Sequence, residues 1–292
     1  MKLVILGDLH IRSSNPENRI DNYKEAMFNK IKYIYECGDV LLKEREFVSL
    51  QPGDFFDNPV QSNAMLTDCF SLFEHANLHS IYGQHDLKFR NKGNTALDVL
   101  IAGGIVKNSE QTTLSESVFL YSCSYNETIP EIKTKGFNIL MIHKMIVEEK
   151  LWEGQVEYEW ANTILRRTKF DLIVSGDNHQ SFFVEHKGRH LINCGSLMRT
   201  TKAQINHKPC YVVYNTDTMK YSIKYIPVQP AEEVFDMQKI ELEKERDEKL
   251  IAFVDGLIEG EEMDLLFERN IDAIKNKISK EVMTIIDDAR RE

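Results

Sequence analysis

The stretch MKLVILGDLH, residues 1–10, decides the fold of this chain. Its apolar run, residues 3–6, predicts a buried strand that ends at Gly7. Asp8 and His10 follow directly after the strand end. Active sites of open α/β sheets lie in the crevice beyond the carboxyl ends of the strands. We therefore expect an α/β sheet with metal-binding or catalytic side chains at this edge.

Four further predicted strands end in residues of the same kind. In chain order these strands deliver Gly53-Asp54, Gly83-Gln84-His85-Asp86, His143 and Gly176-Asp177-Asn178-His179. Oxygen and imidazole ligands without thiolates suit Mn²⁺, Mg²⁺, Fe²⁺ or Zn²⁺. Paired divalent ions are a common arrangement for phosphate chemistry. The ordered set predicts a metal centre that acts on a phosphate ester.

The acidic charge of the chain lies mostly in its C-terminal part. Residues 231–292 contain 19 acidic and 10 basic side chains, which accounts for most of the net charge of −10. Residues 1–230 are close to neutral, and bound divalent metals would add positive charge there. The overall acidity therefore does not exclude a nucleic acid substrate.

Composition predicts an intracellular, cytoplasmic protein that does not associate with membranes. Five scattered cysteines without a CxxC pair favour free thiols over disulfides or a zinc site. The first residues form a strand and not a charged segment with a long apolar run, so we expect no signal peptide. No apolar stretch approaches the ~20 residues needed to span a bilayer.

The order of predicted elements favours an α/β fold with two packed mixed sheets flanked by helices. Strands alternate with helices in the first half of the chain, and a run of strands follows. Pro227 and Pro230 mark a boundary. We expect a catalytic domain over residues 1–200, closing strands and a linker over 201–230, and an acidic helical region over 231–292.

Two apolar helix faces have open interpretations. Residues 64–73 predict a helix that either packs in the core, which we favour, or contributes to a homodimer. Five apolar residues at helical spacing form a stripe near the C-terminus: Ile271, Ile274, Ile278, Val282 and Ile285. That stripe either packs on its own domain or presents a helix to a partner protein.

The ordered set of strand ends resembles the signature of the calcineurin-like metallophosphoesterases. The pattern R-x-D-N-Y-K-E-A before GDFFDNP, and the helix after GQHDL, are similar to the SbcD-type DNA repair nucleases and their phage relatives. The resemblance covers roughly residues 1–226. It implies a metal-dependent DNA exonuclease or endonuclease of repair or recombination, a partnership with an SbcC-type ATPase, and a homodimer.

The resemblance also implies a role for each candidate residue. The first metal ion would be held by Asp8, His10 and His179, the second by Gln84, His143 and Asp177, with Asp54 bridging the two. His85 would protonate the leaving oxygen, and Asp86 would orient His85. The implied cofactors are two divalent ions, Mn²⁺ first and Mg²⁺ as the alternative.

Two residues depart from the family pattern, and both belong to the second metal. The family has Asn where this chain has Gln84, and His where it has Asp177. Our hypothesis is that the second site is reshaped and favours harder ions such as Mn²⁺ or Mg²⁺. The competing hypothesis is that this site is weak or empty.

Alternative functions stay open at this point. The chain could be a phosphoesterase for a small cyclic nucleotide or a phosphoprotein, or a catalytically weak subunit that binds DNA or a partner. Arg199, Lys202 and His207 could approach a phosphate. Seven loop residues could face a nucleic acid backbone or form a solvated rim: Arg12, Arg19, Lys88, Arg90, Lys92, Arg166 and Arg167.

Overall fold

The computed structural model describes residues 1–37, 47–258, 279, 282 and 283, and of residue 37 and residues 252–258 it describes only the backbone. The described chain divides into a unit over Met1–Phe235 and a second unit over Asp236–Glu292. The apolar stripe predicted between Ile271 and Ile285 lies almost wholly outside the described residues. In the described part, no helix is both long enough and apolar enough to cross a membrane.

The first sheet has six strands in the order β14-β13-β1-β2-β3-β4. Strands β1 to β4 run parallel, whereas β13 and β14 add antiparallel edges. Their bounds are β1 Lys2–Ile5, β2 Phe47–Gln51, β3 Leu78–Ser80, β4 Val106–Lys107, β13 Cys210–Asn215 and β14 Lys220–Tyr225.

The second sheet also has six strands, in the order β11-β12-β10-β7-β6-β5. Its four central strands are parallel, and each edge strand is antiparallel to its neighbour. The bounds are β5 Gln111–Ser115, β6 Val118–Cys123, β7 Phe137–His143, β10 Leu172–Gly176, β11 Phe182–His186 and β12 Arg189–Asn193. A separate parallel pair consists of β8 Ile146–Val147 and β9 Glu159–Trp160.

Three helices of the first unit are capped by the side chains that precede them. Asn22, Ser62 and Thr95 each accept a hydrogen bond from a backbone N–H in the first turn of the following helix. The helices are α1 Tyr23–Lys32, which continues as a π-helical turn at Tyr33–Cys37, α2 Asn63–Phe73, α3 Ala96–Ala102, α4 Ala161–Arg167, α5 Ala231–Val234 and α6 Met237–Ile258.

Successive side chains of β1 point to opposite faces of the first sheet, so this strand contacts both neighbouring layers of the first unit. Leu3 and Ile5 pack with apolar residues of the second sheet, such as Val174. Val4 and Leu6 face the opposite way and pack with the helix side chains, among them Met27 of α1. Each fully buried aliphatic side chain of this kind contributes roughly 1.5–3 kcal/mol. The prediction of two packed mixed sheets flanked by helices is confirmed.

Besides the short pair β8 and β9, three strands of the two sheets were not predicted from the sequence. β4 is only two residues long, and β5 is an edge strand with largely exposed side chains. β11 follows β10 closely and pairs back on β12. All three lie at or next to a sheet edge, where the apolar pattern that reveals buried strands is weakest.

Candidate metal centre

Parallel pairing brings the predicted strand ends to one edge of the molecule. Ile5 pairs with Leu50 and Gln51 pairs with Ser80, so the loops after β1, β2 and β3 leave the sheet on the same side. In the second sheet, His143 pairs directly with Gly176. The two edges meet because Asp8, in the loop after β1, bridges to Ser196, which follows β12.

Asp8, His10 and His179 form a group with ligand atoms within 4.8 Å of one another. The Nε2 atoms of His10 and His179 lie 3.0 Å apart, and His179 Nε2 lies 3.7 Å from Asp8 Oδ2. Burial lowers the pKa of His10 to about 3, so its imidazole is neutral and able to bind a metal. This is the set that the resemblance assigns to the first ion.

The buried carboxylates here have oxygens without hydrogen-bond partners. Asp8 Oδ1 and Asp54 Oδ2 are both buried, and neither atom has a donor among the described residues. Burial, followed by the charges of Asp54 and Asp177, raises the pKa of Asp8 well above its usual value. A divalent cation would satisfy these oxygens and neutralise their charge, so the donor set fits such an ion.

Asp54 lies between the two groups of candidate ligands. Its Oδ2 atom is 3.6 Å from His10 Nε2 and 3.5 Å from His143 Nε2, and its Oδ1 accepts the backbone N–H of His85 at 3.0 Å. Burial raises the pKa of Asp54, but His143 and then His10 outweigh burial and lower it overall. Asp54 also joins His10 and His85 in a second compact group of potential ligands.

Three candidate ligands have backbone conformations that L-residues seldom adopt. The φ angle is +46° at His10, +51° at Asp54 and +80° at Asp177. Such conformations cost of order 1–3 kcal/mol each and persist where the surroundings enforce them. Strained residues cluster at functional sites, so these three φ angles support a functional role for this edge of the sheets.

Gln84, His143 and Asp177 are brought together, but they bind one another. Gln84 Nε2 donates to Asp177 Oδ1 at 2.8 Å, and Gln84 Oε1 lies 2.7 Å from His143 Nε2. His143 Nδ1 lies 2.7 Å from the Pro52 carbonyl oxygen, so both ring nitrogens face oxygens. Burial alone would lower the pKa of His143, yet Asp54 and Asp8 raise it to about 10. In this arrangement the three side chains occupy one another's hydrogen-bonding atoms.

The structure gives Asp86 a different role from the one predicted. Its buried carboxylate accepts three backbone N–H groups, from Phe55 at 3.1 Å, Phe56 at 2.9 Å and Gly83 at 3.0 Å. Burial and the charge of Asp54 raise its pKa to about 7. Asp86 therefore fixes the two loops that carry the site, and the interpretation that it orients His85 is corrected.

His85 is oriented by Asp57, a residue that the sequence analysis did not assign. His85 Nδ1 lies 3.0 Å from the Asp57 carbonyl oxygen, and the exposed ring packs edge-on against His10, with centroids 4.9 Å apart. The Asp57 carboxylate pairs with Arg12 at 3.0 Å and lies 3.8 Å from His10 Nδ1. Asp57 lies inside the GDFFDNP motif, which is the feature of the sequence that could have identified it.

A tight turn presents aromatic and basic side chains a few residues after His85. Lys88 and Asn91 exchange two backbone hydrogen bonds, of 3.2 and 3.0 Å. The residues between them, Phe89 and Arg90, have φ of +53° and +62°, and the Phe89 side chain is 87% exposed. Positive φ at both central positions is typical of a type I′ turn, which usually contains Asn and Gly. Phe89 thus lies in a strained turn and is exposed to solvent.

A cavity of about 740 Å³ adjoins the other side of the site. His143 and Asp177 line one end, and Tyr125 and Trp152 line its walls. Several acidic residues also border it: Glu127, Glu157 and Glu159.

Two further sequence candidates, His207 and Arg19, occupy supporting positions. His207 Nε2 lies 2.7 Å from the Ser196 carbonyl oxygen, and the Asn193 amide donates to the Asn178 carbonyl oxygen at 2.8 Å. Arg19, expected on a loop facing nucleic acid, is instead buried with 6% exposure. These residues hold the loops after β10 and β12 around the metal-binding group.

Comparisons with known proteins agree with this architecture. A family profile described as the calcineurin-like phosphoesterase superfamily domain matches residues 1–219. TT1561 of Thermus thermophilus is similar in structure at a TM-score of 0.50 and 9% identity, over 77% of this chain and 99% of that one. A comparison with curated proteins finds no match.

Two further solved structures are similar at lower scores. A novel archaeal phosphodiesterase has a TM-score of 0.42 at 14% identity, over 77% of this chain and all (100%) of that chain. Vps29 of Entamoeba histolytica, complexed with zinc, has a TM-score of 0.40 at 13% identity, over 78% of this chain and 94% of that chain.

Proposed function

Because this chain belongs to the calcineurin-like phosphoesterase superfamily, we propose that it is a metal-dependent phosphodiesterase that cleaves DNA. The observation that carries the proposal is the strained turn at Phe89 and Arg90, which follows the candidate acid His85 by only a few residues. An exposed aromatic ring flanked by Lys88 and Arg90 combines a surface for base stacking with charges for phosphates.

In this proposal Asp8, His10 and His179 hold one divalent ion beside Asp54. Such an ion supplies Lewis acidity, which polarises a phosphoryl oxygen and stabilises its charge. The second ion, which the resemblance implies, stays a prediction. Mn²⁺ and Mg²⁺ both suit the carboxylate ligands.

His85 acts on the leaving group. Its Nδ1–H is donated to the Asp57 carbonyl oxygen, so Nε2 is the nitrogen left to carry the transferred proton. The exposed ring is accessible to a substrate beside His10. His85 at Nε2 therefore protonates the sugar oxygen as it departs, a contribution of typically 10²–10⁴-fold in rate.

The cavity beside His143 supports a second candidate function. Tyr125 and Trp152 suit the uncharged nucleoside part of a small phosphodiester. A cyclic nucleotide is the substrate class that this cavity would favour. The partnership with an SbcC-type ATPase, the homodimer and the cytoplasmic location stay predictions.

Cleavage of labelled single- and double-stranded DNA in Mn²⁺, beside hydrolysis of a cyclic nucleotide, tests the proposal. We expect DNA cleavage that falls ~100-fold or more in His85→Ala. The matched control is His75→Ala, since His75 is exposed and its ring nitrogen lies 4.0 Å from the carboxylate of its neighbour Glu74. Turnover of the cyclic nucleotide with intact DNA would favour the second candidate, and no turnover of either would contradict both.

A further inference from the structure

Three cationic side chains line a second cavity, of about 280 Å³, in the first unit. Arg19 and Arg199 are 6% and 5% exposed, and Lys30 extends from α1 into the same space. Asp21 is the acidic residue among the described lining residues. With all three cations charged, the lining carries a net charge of +2.

Asp21 is fully engaged by Arg19. Arg19 Nε and Nη2 donate to the two Asp21 oxygens at 2.8 and 2.6 Å, and Nη1 donates to the Arg199 carbonyl oxygen at 2.6 Å. This bidentate pair matches the geometry of a guanidinium and a carboxylate. It therefore leaves no carboxylate in the described lining for Lys30 or Arg199.

Within the described chain, Arg199 and Lys30 are satisfied only by carbonyl groups. Arg199 Nη1 and Nη2 donate to the carbonyl oxygens of Ile205 at 3.1 Å and Gln229 at 2.7 Å, and Lys30 Nζ donates to that of Leu197 at 3.1 Å. The buried Arg199 Nε has no acceptor among the described residues. Carbonyl oxygens accept these hydrogen bonds but carry no net charge to balance the cations.

This uncompensated charge is costly. The Phe235 ring lies 5.6 Å from the Arg19 guanidinium and 5.7 Å from that of Arg199, which offsets part of the cost. Burial, followed by the charges of Arg19 and Arg199, lowers the pKa of Lys30 to about 7. Buried charges in proteins are normally paired. The described lining of the cavity, however, holds no counter-anion for Lys30 and Arg199.

We propose that this cavity binds a small oxyanion, a phosphate or carboxylate group, through Lys30 Nζ, with the charge of the Arg199 guanidinium beside it. Apolar side chains on the facing walls, Ala26, Ile226 and Val234, leave room for a small organic body attached to the anion. The site lies outside the metal-binding group and goes beyond the proposed function.

A short hydrogen-bonded path joins the cavity to the metal centre. Lys30 donates to the carbonyl oxygen of Leu197, and the Leu197 N–H donates to the carbonyl oxygen of Asp8 at 2.9 Å. Two hydrogen bonds therefore separate Lys30 from a candidate metal ligand.

Calorimetric titration of the full chain in Mn²⁺ with inorganic phosphate, and separately with dAMP, tests the proposal at constant ionic strength. Lys30→Met removes one donor without adding a charge, and Lys32→Met is the matched control on the exposed side of the same helix. We expect affinity in the cavity to fall about tenfold or more in Lys30→Met and to hold in Lys32→Met. Both variants keep the metal-binding group, so phosphate that binds there contributes equally to the two titrations.

The two ligands distinguish free phosphate from a phosphate group on a small organic molecule. Tighter binding of dAMP than phosphate, lost in Lys30→Met, would assign the cavity to the organic ligand, and equal binding would assign it to the free anion. Equal affinities of the Lys30 and Lys32 variants for both ligands would overturn the proposal. DNA cleavage is not measured, so failure here is distinct from failure of the proposed function.

A second variant covers the case in which Lys30→Met fails to fold. Asn29→Asp places a carboxylate at the edge of the same cavity, because Asn29 lines it. We expect this built-in anion to raise the thermal midpoint without phosphate and to remove the rise that phosphate produces in the wild type. A lower midpoint with the phosphate effect intact would contradict the proposal.

Discussion

Gln84 and Asp177 are hydrogen-bonded to each other at 2.8 Å although 93 positions separate them in the chain. They are also the two residues at which the sequence departs from the pattern of the family it resembles. The amide and the carboxylate therefore form one unit, and each replacement gives the other a partner. This pairing supports the hypothesis of a weak second metal site.

We expect the wild-type chain to bind about one Mn²⁺ under conditions in which the double variant Gln84→Asn/Asp177→His binds about two. The double change removes the amide–carboxylate bond and restores the ligand types of the resembled family. Elemental analysis after dialysis against a fixed free Mn²⁺ concentration measures the stoichiometry.

The single variant Asp177→His is the control for this pair. It leaves the part-buried Gln84 amide without its acceptor, and an unpaired donor costs at most ~1–3 kcal/mol when it is fully buried. We therefore expect a lower thermal midpoint in the single than in the double variant. Two ions in the wild type would refute the weak-site hypothesis and favour a reshaped site.

Gly53 is required where His143 approaches the backbone. A Cβ at position 53 would lie 2.5 Å from His143 Nδ1, and the φ angle there is +100°. We expect Gly53→Ala to lower the free energy of unfolding and to weaken Mn²⁺ binding, measured by denaturant titration and calorimetry. The backbone strain alone costs of order 1–3 kcal/mol.

Gly93→Ala separates the cost of the positive φ angle from the cost of the close approach to His143. Gly93 has nearly the same φ, +99°, but a Cβ there would meet no atom within 4 Å. We expect Gly93→Ala to show the cost of the positive φ without the loss of Mn²⁺ binding. Equal Mn²⁺ affinities in the two variants would show that the close approach to His143 is unimportant.

The exposed Phe89 provides a test that separates DNA from small substrates. Stacking of a base on an aromatic side chain is worth about 1–3 kcal/mol, so Phe89→Ala should weaken cleavage of single-stranded DNA about fivefold or more. Hydrolysis of bis-p-nitrophenyl phosphate should fall less, because that small ester can bind at the metal centre without extending along the turn as a DNA strand does. Steady-state kinetics on both substrates measure the difference.

Trp152→Ala is the matched aromatic variant on the side of the large cavity. Trp152 is 58% exposed and lines that cavity, not the turn at Phe89. We expect it to spare DNA cleavage. A loss of DNA cleavage in Trp152→Ala but not in Phe89→Ala would move the substrate path to the cavity.

The sequence predicted the elements of this fold that are buried and the site residues that follow them. β1 was predicted over residues 3–6 and lies at Lys2–Ile5, because apolar residues dominate a strand covered on both faces. β5, with exposed side chains, carries no such pattern and was missed. Propensity and periodicity report burial, so they fail at sheet edges.

The sequence predicted which residues form the site better than it predicted what each residue does there. Parallel strand order places Asp8, Asp54 and His143 at one edge, which spacing along the chain suffices to indicate. The contacts of Asp86 depend on two backbone loops that approach only after folding. The burial of Arg19 depends on Phe235, more than 200 residues away. Such long-range contacts leave no local signal.

Lys30 makes the stability of the chain depend on pH in a defined direction. Burial and the neighbouring guanidiniums of Arg19 and Arg199, which outweigh Asp21, lower its pKa from 10.5 to about 7. Between these values the unfolded chain binds more protons at this lysine than the folded chain does. The free energy of unfolding therefore rises with pH from 7 upward, by at most ~1.4 kcal/mol per pH unit from this residue.

Denaturant titrations at pH 7.0 and 8.5 without added oxyanion measure this slope, and Lys30→Met gives the reference. We expect the wild type to gain stability relative to Lys30→Met over this interval, while Lys32→Met follows the wild type. An oxyanion in the cavity favours the charged lysine and raises its pKa, so saturating phosphate should flatten the slope. A wild-type slope equal to that of Lys30→Met would show that Lys30 is charged and compensated at pH 7, which would remove the energetic argument for a missing counter-anion.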